Sequence, residues 1–440
     1  MSEPTVVHPE GEPTVVHPED VEESPAVGAA AAVPGVPSDE RLVRREGLAG
    51  YVDDFVARLR SGELGSLPVI VGLIVIVIVF EALNSVFLHA FNLVSIAQLI
   101  APTGIIAVGV VLVLLLGEID LSIGSVSGAS AAILGVLNVN HGFSPLLAII
   151  LALAGGAAIG LVHGLIFTKL GVPSFVVTLA GLLIWLGLQI KILGGTGSIN
   201  LPPEGPLVKF GQTTNAFMLN TLAYILAAVI AVGLFLTMAR EAARRRAAGL
   251  RARPVAEIAV RCVLLFVVLA LVVYVLSRDR GVPWTLVVFL ALVVVVDFVL
   301  KRTRYGRAVY AIGGNIEAAR RAGLPVDRIR ISIFMLTSTC AALGGVIAAC
   351  YLGGVDQATG AGDTLVNSIA AAVIGGTSLF GGRGQARSAL LGMLVIGAIT
   401  NGLLLESLSS PIRYMITGAV LVASVVIDSL ARRGRQSAGR

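Results

Sequence analysis

Charged residues are scarce in this chain of 440 residues, because Asp, Glu, Lys and Arg together make up 13% of it. An average soluble domain contains about a quarter. Hydrophobic residues make up 56%, and the mean hydropathy is +0.91. A water-soluble protein of this size cannot bury so much apolar surface in a core, so most of the chain needs lipid as its solvent. The composition therefore excludes a soluble enzyme or binding domain.

Residue patterns on which catalysis or cofactor binding commonly depends are also missing. None of the four lysines follows a glycine, which excludes a Walker A phosphate loop. The five histidines show no HExxH motif or other ligand spacing, and no GxSxG motif occurs. The three cysteines lie inside apolar runs without metal-type spacing. The sequence predicts no catalytic, metal or cofactor site, and any ATP that drives this protein must be bound by another polypeptide.

The N-terminal region lacks apolar runs. Residues 1–40 contain no Lys or Arg, nine acidic residues and a tandem repeat, EPTVVHPEG followed by EPTVVHPED. Such a stretch cannot bury enough apolar surface to order itself, so we predict a disordered acidic extension. It is either a solvated extension or a partner-binding tail. No basic start followed by a short apolar core is present, so a secretory signal peptide is not predicted.

Residues 41–64 are predicted to form an amphipathic juxtamembrane helix. Apolar residues recur at helical spacing, and three arginines precede them, which is typical of a helix on an anionic membrane surface. Packing on a soluble partner is the alternative. The apolar positions are Leu48, Tyr51, Val52, Phe55, Val56 and Leu59.

Residues 65–431 form the predicted transmembrane domain, and 432–440 a basic cytosolic tail. A helix needs about 20 apolar residues to cross about 30 Å of hydrocarbon. Twelve segments approach that length, which predicts an all-α polytopic bundle of ten core spans and two inserted ones. The third and tenth are short and rich in Gly and Ser, so each is a candidate broken or re-entrant helix. The segments are 67–86, 95–117, 121–138, 145–168, 173–192, 216–238, 260–277, 282–300, 331–352, 365–380, 388–407 and 411–430.

The basic residues indicate the orientation. With the N terminus inside, the inner segments hold 27 of the 32 Lys and Arg residues. This asymmetry predicts a multi-pass protein of the cell inner membrane with both termini cytoplasmic. Basic residues bunched between apolar runs are topology signals, and they do not indicate a nucleic-acid surface.

Two glycine-rich motifs indicate non-helical backbone near membrane depth. GEIDLSIGSVSG spans Gly117 to Gly128, and VIGGTSLFGGRG spans Val373 to Gly384. Such backbone is tolerated at depth where it lines a cavity. The alternatives are a hydrated inner loop for the first motif and a flexible connection for the second.

A third motif, TRYGRAVYAIGGNIEAARRAGLPVDRIRI, runs from Thr303 to Ile331. Gly313 to Asn315 predict a turn, Ile316 to Ala322 a short helix, and Gly323 its end. A short helix between two spans on the cytosolic side is suited to docking on a soluble partner. A solvated linker is the alternative.

The three motifs, in this order, resemble those of the permease subunits of bacterial carbohydrate ATP-binding-cassette (ABC) importers, which include ribose and xylose permeases. The resemblance covers roughly residues 65–430. It implies a translocation pathway bordered by Glu118, Asp120, Ser122, Gly124, Ser125, Gly375, Gly376, Thr377, Ser378, Gly381 and Gly382. It also implies an ATPase-coupling segment that contains Gly314, Asn315, Glu317, Ala318, Ala319 and Gly323.

An insertion at about 216–280 looks like that of xylose-type permeases, since ribose-type ones are shorter. The resemblance further implies three partners: an ATP-binding subunit, an extracytoplasmic sugar-binding protein and a second permease copy. We therefore expect a membrane-embedded importer subunit for a pentose such as xylose, not an enzyme. The alternatives are a permease for another small polar solute, a nucleoside or an amino acid, and an ion-coupled secondary carrier. The carboxylates of the spans, which lie near span ends, weigh against ion coupling.

Overall fold

A computed structural model describes residues 67–249, 252–409, 411–413, 415–419, 422 and 426. The predicted N-terminal extension (1–40), the amphipathic helix (41–64) and the basic tail (432–440) lie outside these residues. All described residues belong to one compact unit.

The described part of the chain is built almost entirely of helices, as the composition predicts. In chain order they are α1 (Leu67–Leu83), α2 (Ala90–Leu115), α3 (Ile123–Gly135), α4 (Pro145–Lys169), α5 (Ser174–Leu193), α6 (Pro206–Gly211), α7 (Asn220–Ala247), α8 (Val255–Ser277), α9 (Trp284–Arg302), α10 (Arg304–Gly314), α11 (Ile316–Arg321), α12 (Val326–Leu352), α13 (Asp363–Ile374) and α14 (Ala386–Leu405). Two three-residue strands, β1 (Ser198–Asn200) and β2 (Gly354–Asp356), pair antiparallel.

The core of the bundle forms around α2 and α12. Helix α12 packs against α4, α2 and α3, and α14 packs against α13 and α2. The most apolar stretch of α2 is 89% buried, whereas those of α7 and α8 are each 17% buried. Helices α7 and α8, which lie in the predicted insertion, pack mainly against each other and leave most of their apolar surface for lipid.

Nine helices in the described residues are long and apolar enough to cross a membrane. The third predicted segment is one of them, because a π-helical turn extends α3 to Asn140. Helix α1, with 17 residues, is slightly shorter. The tenth predicted segment is a half-length helix, since α13 has 12 residues and spans about 18 Å. The structure describes the twelfth segment only in part, and the expected twelve spans are not confirmed.

A non-helical stretch of backbone, β2 and the turns after it, precedes α13 and runs antiparallel to α3. Gly135 has no side chain, and a Cβ added there would lie only 3.0 Å from a side-chain carbon of Val355, so the two backbones are close. Near the other end of α3, a Cβ at Gly124 would overlap the carbonyl oxygen of Gly360. Because α3 belongs to a candidate span, residues 355–360 place non-helical backbone within the length of that span. The predicted broken helix thus corresponds to α13 and the non-helical stretch before it.

Candidate functional site

The three sequence motifs meet at one point in the fold. The backbone N–H of Gly382, in the turn after α13, donates a 2.9 Å hydrogen bond to the carbonyl oxygen of Leu115 at the end of α2. A Cβ at Gly381 would lie 2.6 Å from the carbonyl oxygen of Gly313 and 2.9 Å from the nitrogen of Gly117. Backbone therefore packs directly on backbone here. We call Gly117, Gly313, Gly381 and Gly382 the glycine junction.

The turn after α13 owes its shape to left-handed backbone. Gly381 and Gly382 have φ angles of 84° and 71°, which residues other than glycine rarely adopt. The turn closes on itself, because the N–H of Ser378 donates to the carbonyl oxygen of Arg383 at 2.9 Å. The hydroxyl of Tyr310, on α10, donates to the carbonyl oxygen of Gly384 at 2.8 Å. Helix α10 is thereby fastened to the turn at a second place.

Asp120 is the centre of a buried polar chain. Its Oδ1 accepts hydrogen bonds from the N–H and the hydroxyl of Ser122, at 2.8 and 2.6 Å. The Ser122 hydroxyl lies 3.5 Å from Nδ1 of His163 on α4, and Trp185 on α5 donates to Nε2 of that ring at 2.9 Å. Because Nε2 accepts from Trp185, a neutral His163 carries its proton on Nδ1 and points it at Ser122.

The carboxyl group of Asp120 is enclosed by protein. Burial raises its pKa above the ordinary value, and this effect outweighs the opposing effects of His163 and the Ser122 hydrogen bonds. Its Oδ2 has no hydrogen-bond partner among the described residues. The predicted pathway residue Asp120 therefore lies inside the subunit, between α3, α4 and α5, where it fixes the turn between α2 and α3.

Glu118, in the same motif, forms an ion pair with Arg330 near the start of α12. Its Oε1 lies 2.9 Å from Nη2 of Arg330, and the side chains are only 15% and 12% exposed. Its Oε2 accepts a 2.6 Å hydrogen bond from the hydroxyl of Ser174. The Arg330 guanidinium also lies 4.6 Å from the centre of the Phe167 ring. Glu118 thus connects the first motif to the end of the third, where α12 begins.

The predicted coupling segment is presented at the surface. Helix α11 begins after Asn315, whose Oδ1 accepts from the N–H of Ala318 at 2.9 Å. The side chain of Glu317 is 69% exposed, whereas Ala319 is buried against the bundle. Gly314 and Gly323 flank the helix and are exposed. This short helix therefore has one face anchored and the others free to contact a partner.

The remaining predicted pathway residues fall into two groups. Gly124, in the first turn of α3, packs on Gly360 in the non-helical stretch before α13, and Ser125 beside it is buried. Gly375 packs on the backbone of Ser388 at the start of α14, and Thr377 is buried beside Gly384. Gly376 is left-handed, with a φ of 98° and open space where a Cβ would lie. The first group thus lies against the start of α13 and the second forms the turn after it.

Comparison with known proteins assigns the chain to a family. Residues 92–425 match the family described as branched-chain amino acid transport system / permease component. The chain belongs to this family.

Several named relatives of this permease align with it along most of their length. The xylose transport system permease protein XylH of Escherichia coli (strain K12) is 32% identical over 376 residues, which is 85% of this chain and 94% of the relative. XylH of Haemophilus influenzae is 31% identical over 84% of this chain and 98% of the relative. The ribose import permease protein RbsC of Bacillus subtilis (strain 168) is 31% identical, covering 84% and 94%. No solved structure matches. These matches confirm the resemblance inferred from the three motifs.

Sequence reasoning missed four residues that complete the site. His163 and Trp185 hold Asp120 indirectly, while Ser174 and Arg330 bind Glu118. The available signal was weak: His163 lies within an apolar helix, and Arg330 lies in a basic segment that also serves as a topology signal. Only the folded bundle brings these residues to the motif.

Proposed function

We propose that this permease forms the translocation pathway of an ABC importer for a monosaccharide, with a pentose such as xylose as the solute. The support is that relatives aligned over most of the chain are named for xylose and ribose, both of which are pentoses. The family description names branched-chain amino acids instead, so an amino acid is the second candidate solute. A nucleoside is a third.

The observation that carries the proposal is the position of α11. This helix is exposed, and the segment before it enters the glycine junction through Gly313. A partner that pushes or pulls on α11 would therefore act on the turn after α13 and on the turn between α2 and α3. In this proposal, the coupling segment receives the force of a separate ATPase. The segment contains Gly314, Asn315, Glu317, Ala318, Ala319 and Gly323.

The proposed assembly contains two copies of this permease, two ATPase subunits and an extracytoplasmic binding protein. The pathway is bordered by the segments 117–125 and 375–384, with twelve spans in each copy. Both termini lie on the cytoplasmic side of the inner membrane, since the basic segments, including 301–330, then face inward. Most of the solute specificity resides in the binding protein, because aromatic residues for stacking on a sugar ring make up only 5% of this chain.

Glu317→Lys tests the docking role of α11. We expect the variant to insert normally but to lose the co-purifying ATPase and ATP-driven uptake, because a reversed charge meets a surface that is complementary to a carboxylate. Glu204→Lys is the matched control, since this side chain is 93% exposed and lies in a segment that the proposed topology puts on the outer side. Normal ATPase co-purification with Glu317→Lys would contradict the assignment.

A further inference from the structure

A cavity whose lining includes five polar residues lies at the start of the half-length helix α13. Its volume is about 240 Å³, and it is bounded by α13, α14 and the segment after α14. The polar side chains that line it are those of Asp363, Asn367, Thr400, Arg413 and Thr417. The cavity is separate from Glu118 and Asp120, which are bound to other groups within the subunit.

The lining offers both donors and acceptors of hydrogen bonds. A carboxylate accepts, a guanidinium donates, and an amide and two hydroxyls do both. Oδ1 of Asn367 is buried and has no hydrogen-bond partner among the described residues. Buried polar atoms are rarely left without a partner, so the Asn367 amide has unused hydrogen-bonding capacity beside the cavity. One negative and one positive side chain leave the lining without net charge, which suits a neutral solute.

The backbone at the cavity has the geometry of a broken helix. Gly362 precedes α13 with a φ of 61°, and a Cβ there would meet nothing within 4 Å. Residues 355–360 run beside α3, within the length of a candidate span. Non-helical backbone at membrane depth occurs where it is buried in protein or lines a water-filled cavity, and broken helices of transporters commonly place their ends at the solute.

We propose that this cavity is a transit site that binds the hydroxyl groups of a neutral sugar through Asn367, Thr400 and Thr417. The site rests on the proposed importer function and adds to it a location that the sequence motifs do not include. The cavity lies at one end of α13, and the turn of the glycine junction follows the other end. A movement of α11 therefore reaches the sugar site through one short helix.

The test is Thr400→Val, which removes a hydroxyl with little change of shape, in the complete importer reconstituted with its ATPase and binding protein. Thr339→Val is the matched control, because its hydroxyl bonds to the carbonyl oxygen of Met335 within α12 and lies outside the cavity. Uptake of labelled D-xylose and D-ribose is measured per assembled complex. We expect Thr400→Val to lower uptake about three- to tenfold, the loss of about one hydrogen bond, and Thr339→Val to leave it unchanged. Equal uptake by both variants would overturn the site.

A second measurement does not depend on sugar transport. Thr400→Cys, in a variant without the native cysteines, is exposed to a small water-soluble thiol reagent in membrane vesicles. We expect labelling, because a cavity of about 240 Å³ with polar side chains in its lining has room for water. Absence of labelling would overturn the site even if uptake is normal. Wild-type complex that takes up neither sugar would count against the proposed solute, whereas the labelling result concerns the cavity itself.

Discussion

At the scale of single residues, the Glu118–Arg330 ion pair joins the first motif to α12. Both side chains are largely buried, so the attraction between the charges is weakly screened, but the removal of either partner leaves a desolvated charge. Lys169 and Asp327 form a second ion pair between the ends of α4 and α12, with side chains 59% and 40% exposed. The two pairs lie near the same end of α12 and differ mainly in burial.

We predict that Arg330→Gln lowers the free energy of unfolding by about 3 kcal/mol, because Glu118 is then left without its counter-ion in a poorly solvated place. Lys169→Gln should cost about 0–1 kcal/mol, since its pair is exposed to solvent. Thermal unfolding of the purified variants in detergent measures both, and the double variant Glu118→Gln/Arg330→Gln should recover part of the loss. Equal effects of the two single variants would contradict the assigned role.

The sequence alone could indicate Glu118 and Asp120 but not what surrounds them. Their residue types and their glycine-rich context are visible in one motif. Their partners Ser174, His163 and Arg330 lie 43 to 212 residues further along the chain, and only the packing of α4, α5 and α12 brings them close. For this reason a pathway role was the natural prediction for Asp120, although the structure buries its carboxyl group. That role stays a prediction.

At the scale of elements, the glycine junction joins α10, the end of α2 and the turn after α13. Close approach of three backbones requires positions without side chains, and we expect it to couple the movements of the three elements. A Cβ at Gly313, which has helical backbone, would overlap the carbonyl oxygen of Leu115. The cost of a side chain here is therefore a packing cost and not one of backbone strain.

We predict that Gly313→Ala lowers both stability and uptake, because the added methyl group forces α10 away from α2, at a cost of about 1–3 kcal/mol. Gly187→Ala in α5 is the matched control, since it also has helical backbone and a Cβ there would meet nothing within 4 Å. Thermal unfolding and uptake per complex provide the comparison. If Gly313→Ala behaves like the control, the junction does not hold these elements together.

Hydropathy located most helices and failed at the tenth segment for a physical reason. The predicted span 331–352 corresponds to α12, which begins a few residues earlier, at Val326. The apolar run 365–380 extends beyond the end of α13 because Leu379 and Phe380 are apolar but lie in a glycine turn. A hydropathy window records side chains and cannot detect left-handed backbone. The β1–β2 pair joins strands separated by more than 150 residues, so no local pattern predicts it.

At the scale of the whole molecule, the α7–α8 hairpin supports the proposed orientation. Helix α7 has 28 residues and is about 42 Å long, so it exceeds the hydrocarbon thickness of about 30 Å. Its last turn carries Arg244, Arg245 and Arg246, which therefore extend beyond the hydrocarbon. Arginines at this place favour the cytoplasmic leaflet with its anionic lipids.

We predict that a single cysteine at Ala248→Cys, in a variant without native cysteines, is not labelled by an impermeant thiol reagent added outside intact cells. The same cysteine should react after the cells are opened, because Ala248 follows α7 and is exposed. A cysteine at the exposed residue Glu204 should already be labelled in intact cells, since the proposed topology puts it outside. Labelling of Ala248→Cys in intact cells would refute the orientation.

The central claim is that a separate ATPase drives sugar import through this chain, and uptake into proteoliposomes tests it most directly. The purified complex is reconstituted with the binding protein, and labelled D-xylose is supplied with and without ATP. The account predicts uphill uptake that requires ATP and the ATPase subunit and that persists when the proton gradient is collapsed. Uptake by this chain alone that follows a proton or sodium gradient would contradict the account and establish an ion-coupled carrier.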